Sequence, residues 1–136
     1  MTDLSVTAAN VLPGAGATTD RGLAGGTITA GMTVYKAADG TIVAADADSA
    51  TVLARTPIGV ALNSASAGQP VDYQKSGSIT IGATMTAGVT YYQSGGAGLI
   101  CPLADVSSSE YLCIVGIATS TTVLKLSFNY SGVLGT

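Results

Sequence analysis

Histidine and tryptophan are absent from this 136-residue sequence, and charge is scarce. Histidine is the usual proton-transfer group near neutral pH and the commonest metal ligand. Without it, neither a serine nor a cysteine nucleophile has its ordinary base. Charged residues make up 10% of the chain, with a net charge of −3, against about 25% in ordinary globular proteins. The five basic residues, Arg21, Lys36, Arg55, Lys75 and Lys125, are scattered. Phosphate backbones are held by clustered Lys and Arg, so no nucleic-acid partner is expected. No 18-residue apolar run exists, so no membrane partner is expected either. The opening MTDLSVTAAN lacks the basic stretch and apolar run of a signal peptide. A surface this poor in charge predicts coverage by further copies or by a larger assembly.

Only two cysteines occur, Cys101 in LICPL and Cys113 in YLCIV. Their apolar surroundings predict buried, reduced thiols, with a bridge between neighbouring strands as the alternative. Other chemistry is equally thin. Gly14-Ala15-Gly16 opens a dinucleotide-type glycine pattern but lacks its third glycine, the preceding strand and the following helix. Asp46-Ala47-Asp48 begins like a calcium loop, yet Ala50, Thr51 and Pro57 stand where a ligand, a glycine and a glutamate are needed. No pair stands out among the eight acids, and Ser107-Ser108-Ser109 reads as a polar turn. Hence no catalytic residue, metal site or cofactor is expected, and the chain does not read as an enzyme.

What the chain does contain is a repeat. GGTITAGMTVYK at 25–36 returns as GATMTAGVTYYQ at 82–93, and Ile58-Gly59-Val60-Ala61 returns as Val115-Gly116-Ile117-Ala118, both 57 positions on. Tyr73–Gly77 then matches Phe128–Gly132 at 55 positions, which predicts a second hairpin loop shortened by two residues. Runs of Thr, Val, Ile and Tyr broken by Gly, Asp, Asn and Ser predict strands throughout. Asp39-Gly40 predicts a type I′ hairpin turn, and ADADSATVLAR at 45–55 predicts a helical turn or two. In VLKLSFNY, Leu124, Leu126, Phe128 and Tyr130 fall on one face, with Lys125, Ser127 and Asn129 on the other. The glycines of the two TAG triplets, Gly31 and Gly88, predict equivalent tight turns with positive φ or close backbone approach. Each unit alone, at about 50 residues, is marginal. The fold expected is therefore all-β, a single compact barrel or sandwich of pseudo-two-fold character. It is built from two repeated β units, about 25–77 and 82–132, within a domain spanning 25–136. Residues 1–24 read as an extended N-terminal arm, with Leu4, Val6, Val11 and Leu12 as apolar anchors for a partner.

The phrases GGTITAGMTVYKAADG, GVALNSASAGQPVDYQKSGSITIGA and AGVTYYQSGGAGLICPLAD together resemble the small capsid decoration proteins of tailed bacteriophages, also called cement or head-fibre proteins. The likeness covers about residues 24–132. It implies a non-enzymatic homotrimer on the outer surface of the virion, bound to the major capsid protein and bridging neighbouring capsid subunits. It also implies an N-terminal arm in contact with the shell, which would give Leu4, Val6, Val11 and Leu12 a capsid-binding role. The alternative is a receptor- or glycan-binding module of a head or tail fibre, presenting an exposed groove lined by tyrosines.

Overall fold

A computed structural model describes residues 4, 6–47, 49, 51–103, 106, 108 and 110–134, with only the backbone of residue 134. Apart from single 3-10 turns at Ala8–Asn10 and Leu53–Arg55, the regular structure is β. The first unit contributes β3 (Thr33–Lys36), β4 (Ile42–Ala44), β5 (Gly59–Ala61) and β6 (Pro70–Thr80). The second contributes β7 (Thr90–Gln93), β8 (Ile100–Pro102), β9 (Tyr111–Ala118) and β10 (Val123–Leu134). Two strands precede them, β1 (Leu12–Pro13) and β2 (Thr18–Leu23).

The strand order is β4-β3-β5-β6-β10-β9-β7-β8. Each unit thus lays its four strands in the same internal order, and the two meet in mirror sequence at the antiparallel β6–β10 pair. The curled sheet forms a half-barrel. The correspondence holds at the level of register. Thr33 faces Val60 and Val34 faces Gly59, while 57 positions on Thr90 faces Ile117 and Tyr91 faces Gly116. The two TAG turns match as well. Gly31 and Gly88 have φ of 93° and 86°, and they donate to the carbonyls of Ala61 and Ala118 at 2.8 and 2.7 Å.

Two details differ from the sequence reading. Ala61 faces Tyr73 and its counterpart Ala118 faces Leu124, so residues 62–72 correspond to 119–123. The second hairpin is shorter by six residues rather than two, and Tyr73 corresponds to Leu124 rather than Phe128. At the Asp39-Gly40 turn only Gly40 takes a positive φ, of 89°. A left-handed Asp39 is not needed, because Gly40 donates to Ala37 O and the Asp39 carboxylate accepts from Thr41 N and Oγ1. The turn is therefore of the type I plus left-handed glycine kind, not type I′.

Packing divides into two clusters. One gathers Ile28, Val34, Ile42, Val71 and Tyr73 of the first unit. The other gathers Ile79, Ile81, Tyr91, Ile100, Val115, Leu124 and Leu126, with Val60 from the first unit. Long β6 serves both: its first half pairs with β5 and its second with β10. The change of direction falls near Gly77, with φ of 88°. Buried Gln74 spans this bend, its amide donating to Ser76 O and Ser78 O at 3.0 and 2.8 Å.

The N-terminal segment lies along the chain's own body. β1 and β2 run antiparallel to β6, pairing Leu12 with Thr80 at one end and Leu23 with Pro70 at the other. Beyond β2, Gly25 donates to Ile42 O of β4; at the other end, Leu4 donates to Ile100 O of β8. Ile42 and Ile100 are corresponding positions in their hairpins. One segment thus covers the outer strand of each unit at equivalent places.

Candidate functional site

Hydrogen-bonding side chains converge on the surface where the N-terminal segment crosses the end of β6. Thr7 donates its backbone N–H to Gly82 O at 2.8 Å, drawing residues 7–12 alongside residues 80–84. A Cβ on Gly82 would lie 2.5 Å from Thr7 O, so glycine permits this approach. Between the two runs lies an open groove of about 570 Å³. Thr7, Asn10, Thr80, Thr84 and Thr122 give it polar walls, and Leu12 and Ala83 supply apolar surface. Among the described residues, no ionisable side chain lines it.

A smaller groove of about 230 Å³ lies in the first unit, lined by Thr27, Thr29, Ser64, Ser66 and Gln69 with Ile28 and Ala65. Thr27 and Thr84 are the same position of the repeated phrase, and each groove runs between that phrase and the following hairpin loop. The long first loop comes back onto the phrase, where Ile28 and Ala65 form a bridge. The short second loop accepts the corresponding bond from Met85 N at Thr121 O, at 2.8 Å, and one from Ile81 N at Thr122 O, at 3.2 Å. Loop length and the crossing N-terminal segment account for the larger groove in the second unit. Both grooves can bind neutral hydrogen-bonding groups. Among the described residues, no charged side chain lines either groove.

The four apolar anchors divide. Val11 is buried in the second cluster, and Leu4 and Val6 pack against it half-buried. Their side chains are engaged within the chain, where they hold the N-terminal segment down. Leu12 alone is presented outward, 58% exposed. From Leu12 to Arg21 every residue is exposed. This stretch is held by main-chain pairing with β6 and by Arg21 Nε to Asp72 at 2.6 Å and Lys75 to Asp20 at 3.5 Å. Arg21 holds the Asp72 carboxyl below its ordinary value. Asp20 is lowered too, chiefly by the Arg21 backbone N–H that it accepts and then by Lys75.

The six tyrosines lie in strands and none is fully exposed. Tyr111 and Tyr130 meet with ring centroids 6.3 Å apart, and the Arg55 guanidinium stands 3.7 Å over the Tyr111 ring. No tyrosine lines either of the two grooves described above. Among the described residues no three His, Cys, Asp or Glu side chains come together as a metal ion would require. Asp48 of the considered calcium loop, and Ser107 and Ser109 of the serine run, lie outside the described residues. The groove threonines carried one signal in the sequence, the repetition of Thr27 as Thr84. Thr7 and Thr122 carried none, because chain crossing brings them in.

Cys101 and Cys113 are buried. Cys101 faces Tyr92 on β7, and Tyr92 faces Ile114 on β9. A whole strand therefore separates the thiols, about 9–10 Å by sheet spacing, beyond the reach of a disulfide. Burial pushes the Cys113 thiol up to about 12. No protein-family model matches the chain, and no curated protein matches it in sequence.

Proposed function

We propose that the protein is a non-enzymatic capsid decoration protein of a tailed bacteriophage. In this reading it binds the outer capsid surface and stabilises the shell by bridging neighbouring capsid subunits. The observation that carries it is the stretch from Leu12 to Leu23. Its main chain is committed to β6, while nearly all its side chains, including Leu12 at 58% and Leu23 at 55%, face solvent. A strand that adds so little to its own core suits a surface completed by a partner. Covering each leucine would contribute about 1.5–3 kcal/mol at most. That is modest for one copy, and a lattice of copies multiplies it. The neutral, hydroxyl-lined grooves and the low charge support a binding role over a catalytic one. The family resemblance of the repeat supplies the capsid as the partner.

The test is to mix the purified protein with undecorated capsids and image them. Ordered outer density at lattice sites is expected, with occupancy reduced by Leu12→Asp and Leu23→Asp variants that retain the fold. Bare capsids at saturating protein would reject the reading.

A further inference from the structure

Asp39 is the only aspartate of the sequence that is followed by glycine. An aspartyl carboxyl is open to attack by the backbone nitrogen of the next residue, and a side chain on that residue obstructs the approach. Gly40 has none, and even an added Cβ there would meet nothing within 4 Å. Both residues are exposed at the tip of the β3–β4 hairpin. The pair has the composition and the access for conversion to isoaspartate, a reaction that needs no reagent but water.

Hydrogen bonds oppose that reaction in the folded chain. Thr41 donates its hydroxyl and its backbone N–H to Asp39 Oδ1, at 2.7 and 3.0 Å. These bonds hold the carboxyl below its ordinary value, the hydroxyl contributing most. Cyclisation proceeds from the neutral carboxyl, which expels its oxygen as water, so the ionised form resists attack. The attacking group is engaged too, since Gly40 N–H donates to Ala37 O at 2.9 Å. Thr41 is in turn kept in place by the N-terminal segment. Gly25 donates to Ile42 O at 2.8 Å, and a Cβ on Gly25 would lie 2.5 Å from Thr41 Oγ1 and 3.0 Å from Thr41 Cβ.

We infer that Asp39-Gly40 is a site of spontaneous aspartate isomerisation, restrained in the folded chain by Thr41 and, through Gly25, by the N-terminal segment. The Gly40 nitrogen bonds to Asp39 Cγ and gives up its proton, which leaves with the carboxyl OH as water and closes a cyclic imide. Water then adds at one of the two imide carbonyls. Breaking the bond from Cγ to nitrogen restores aspartate. Breaking the bond from the main-chain carbonyl carbon to nitrogen gives isoaspartate, of unchanged mass, with the chain rerouted through Cβ and Cγ. The added backbone atom displaces Thr41 from Gly25 and so loosens the place where the N-terminal segment meets β4. The inference stands independently of the capsid reading.

Incubation of the full chain at neutral pH, with isoaspartate at position 39 quantified by peptide mapping, tests it. A free peptide of residues 36–44 and the denaturant-unfolded chain set the unrestrained rate. The folded chain should react more slowly by on the order of tenfold, the worth of about one hydrogen bond to a charged group. Thr41→Val, compared with a peptide of its own sequence, should recover a large part of that difference. Gly25→Ala should act in the same direction with the turn sequence untouched. Circular dichroism and urea midpoints near those of the parent would show that the variants fold. No isoaspartate at 39 in the unfolded chain, a folded chain as fast as the peptide, or folded variants as slow as the parent would each overturn the proposal.

Discussion

The Thr33 hydroxyl donates to the side-chain carbonyl of Gln93 across the seam between the two repeated units. The Gln93 amide completes the arrangement, donating to Ala45 O and Ser94 O at 3.0 Å each, and both side chains are fully buried. Gln93 occupies the repeat position of Lys36, which is exposed. The same strand position thus became a polar clasp where the units meet. Replacing Gln93 with Leu leaves the Thr33 hydroxyl without its acceptor, while Ala45 O and Ser94 O keep the backbone N–H groups of Gly98 and Ala47, so a loss of about 1–3 kcal/mol is expected. Thr33→Val should cost about 1–2 kcal/mol, with the double variant well short of the sum because the partners are shared. Urea denaturation of the three variants measures this, and additive losses would show that the pair does not act as a unit.

Gly31 and Gly88 share a conformation but not surroundings, so alanine should separate them. A Cβ on Gly88 meets nothing within 4 Å, whereas one on Gly31 would lie 2.5 Å from Val6 Cγ1 and 3.1 Å from Val11 Cγ2. Gly88→Ala should cost about 1–2 kcal/mol, from the positive φ alone. Gly31→Ala should cost at least about 1 kcal/mol more, since overpacking adds to the same backbone cost. It should also loosen residues 4–13, raising their amide exchange while Gly88→Ala leaves it unchanged. Equal losses for the two would show that Val6 and Val11 do not hold the N-terminal segment over this turn.

Much of this architecture was legible because a duplicated sequence marks its own equivalences. Gly31 and Gly88 announced their turns, and the alternation in VLKLSFNY placed Leu124 and Leu126 inside. The hairpin offset was not legible, for a physical reason. Matching Tyr73 to Phe128 or to Leu124 differs by four residues, an even shift, and strand alternation is blind to even shifts. The path of the N-terminal segment was hidden for another reason. Residues 12–21 are held by main-chain bonds, and those leave no apolar pattern in the side chains. The larger groove depended on both features, so its Thr7, Thr80 and Thr122 walls could not be assembled from the sequence.

Acid should release β2 before the body unfolds. The carboxyls of Asp20 and Asp72 are both lowered in the folded chain, by the Arg21 backbone N–H and the Arg21 side chain respectively. A carboxylate lowered by folding contributes stability above its unfolded value, near pH 4. That contribution is lost as pH falls through the folded value. Amide protection of residues 18–23 should therefore be flat from pH 7 to 5, after correction for intrinsic exchange, and decline below about pH 4. The cores around Val34 and Leu124 should stay protected. In Asp72→Asn the decline should be shallower, and an unaltered profile would remove the Arg21–Asp72 pair as its cause.

Alkali acts through the buried thiol. Cys113 is 1% exposed and pushed up to about 12 by burial, and burial also raises Tyr73. Both are acids that hold their protons longer in the folded state. Stability is then fully present below the unfolded thiol value, near pH 8.5. It should fall as pH rises from about 9 towards 12, because only the unfolded chain gives up the proton. Native protein should accordingly leave Cys113 unmodified by a thiol reagent at pH 8, while urea exposes both cysteines. Cys113→Ala should flatten the urea midpoint between pH 8.5 and 10, at the expense of a lower midpoint at pH 7 from the small cavity. Rapid labelling of Cys113 in the native protein would mean that the β9–β10 hairpin opens far more readily than its packing implies.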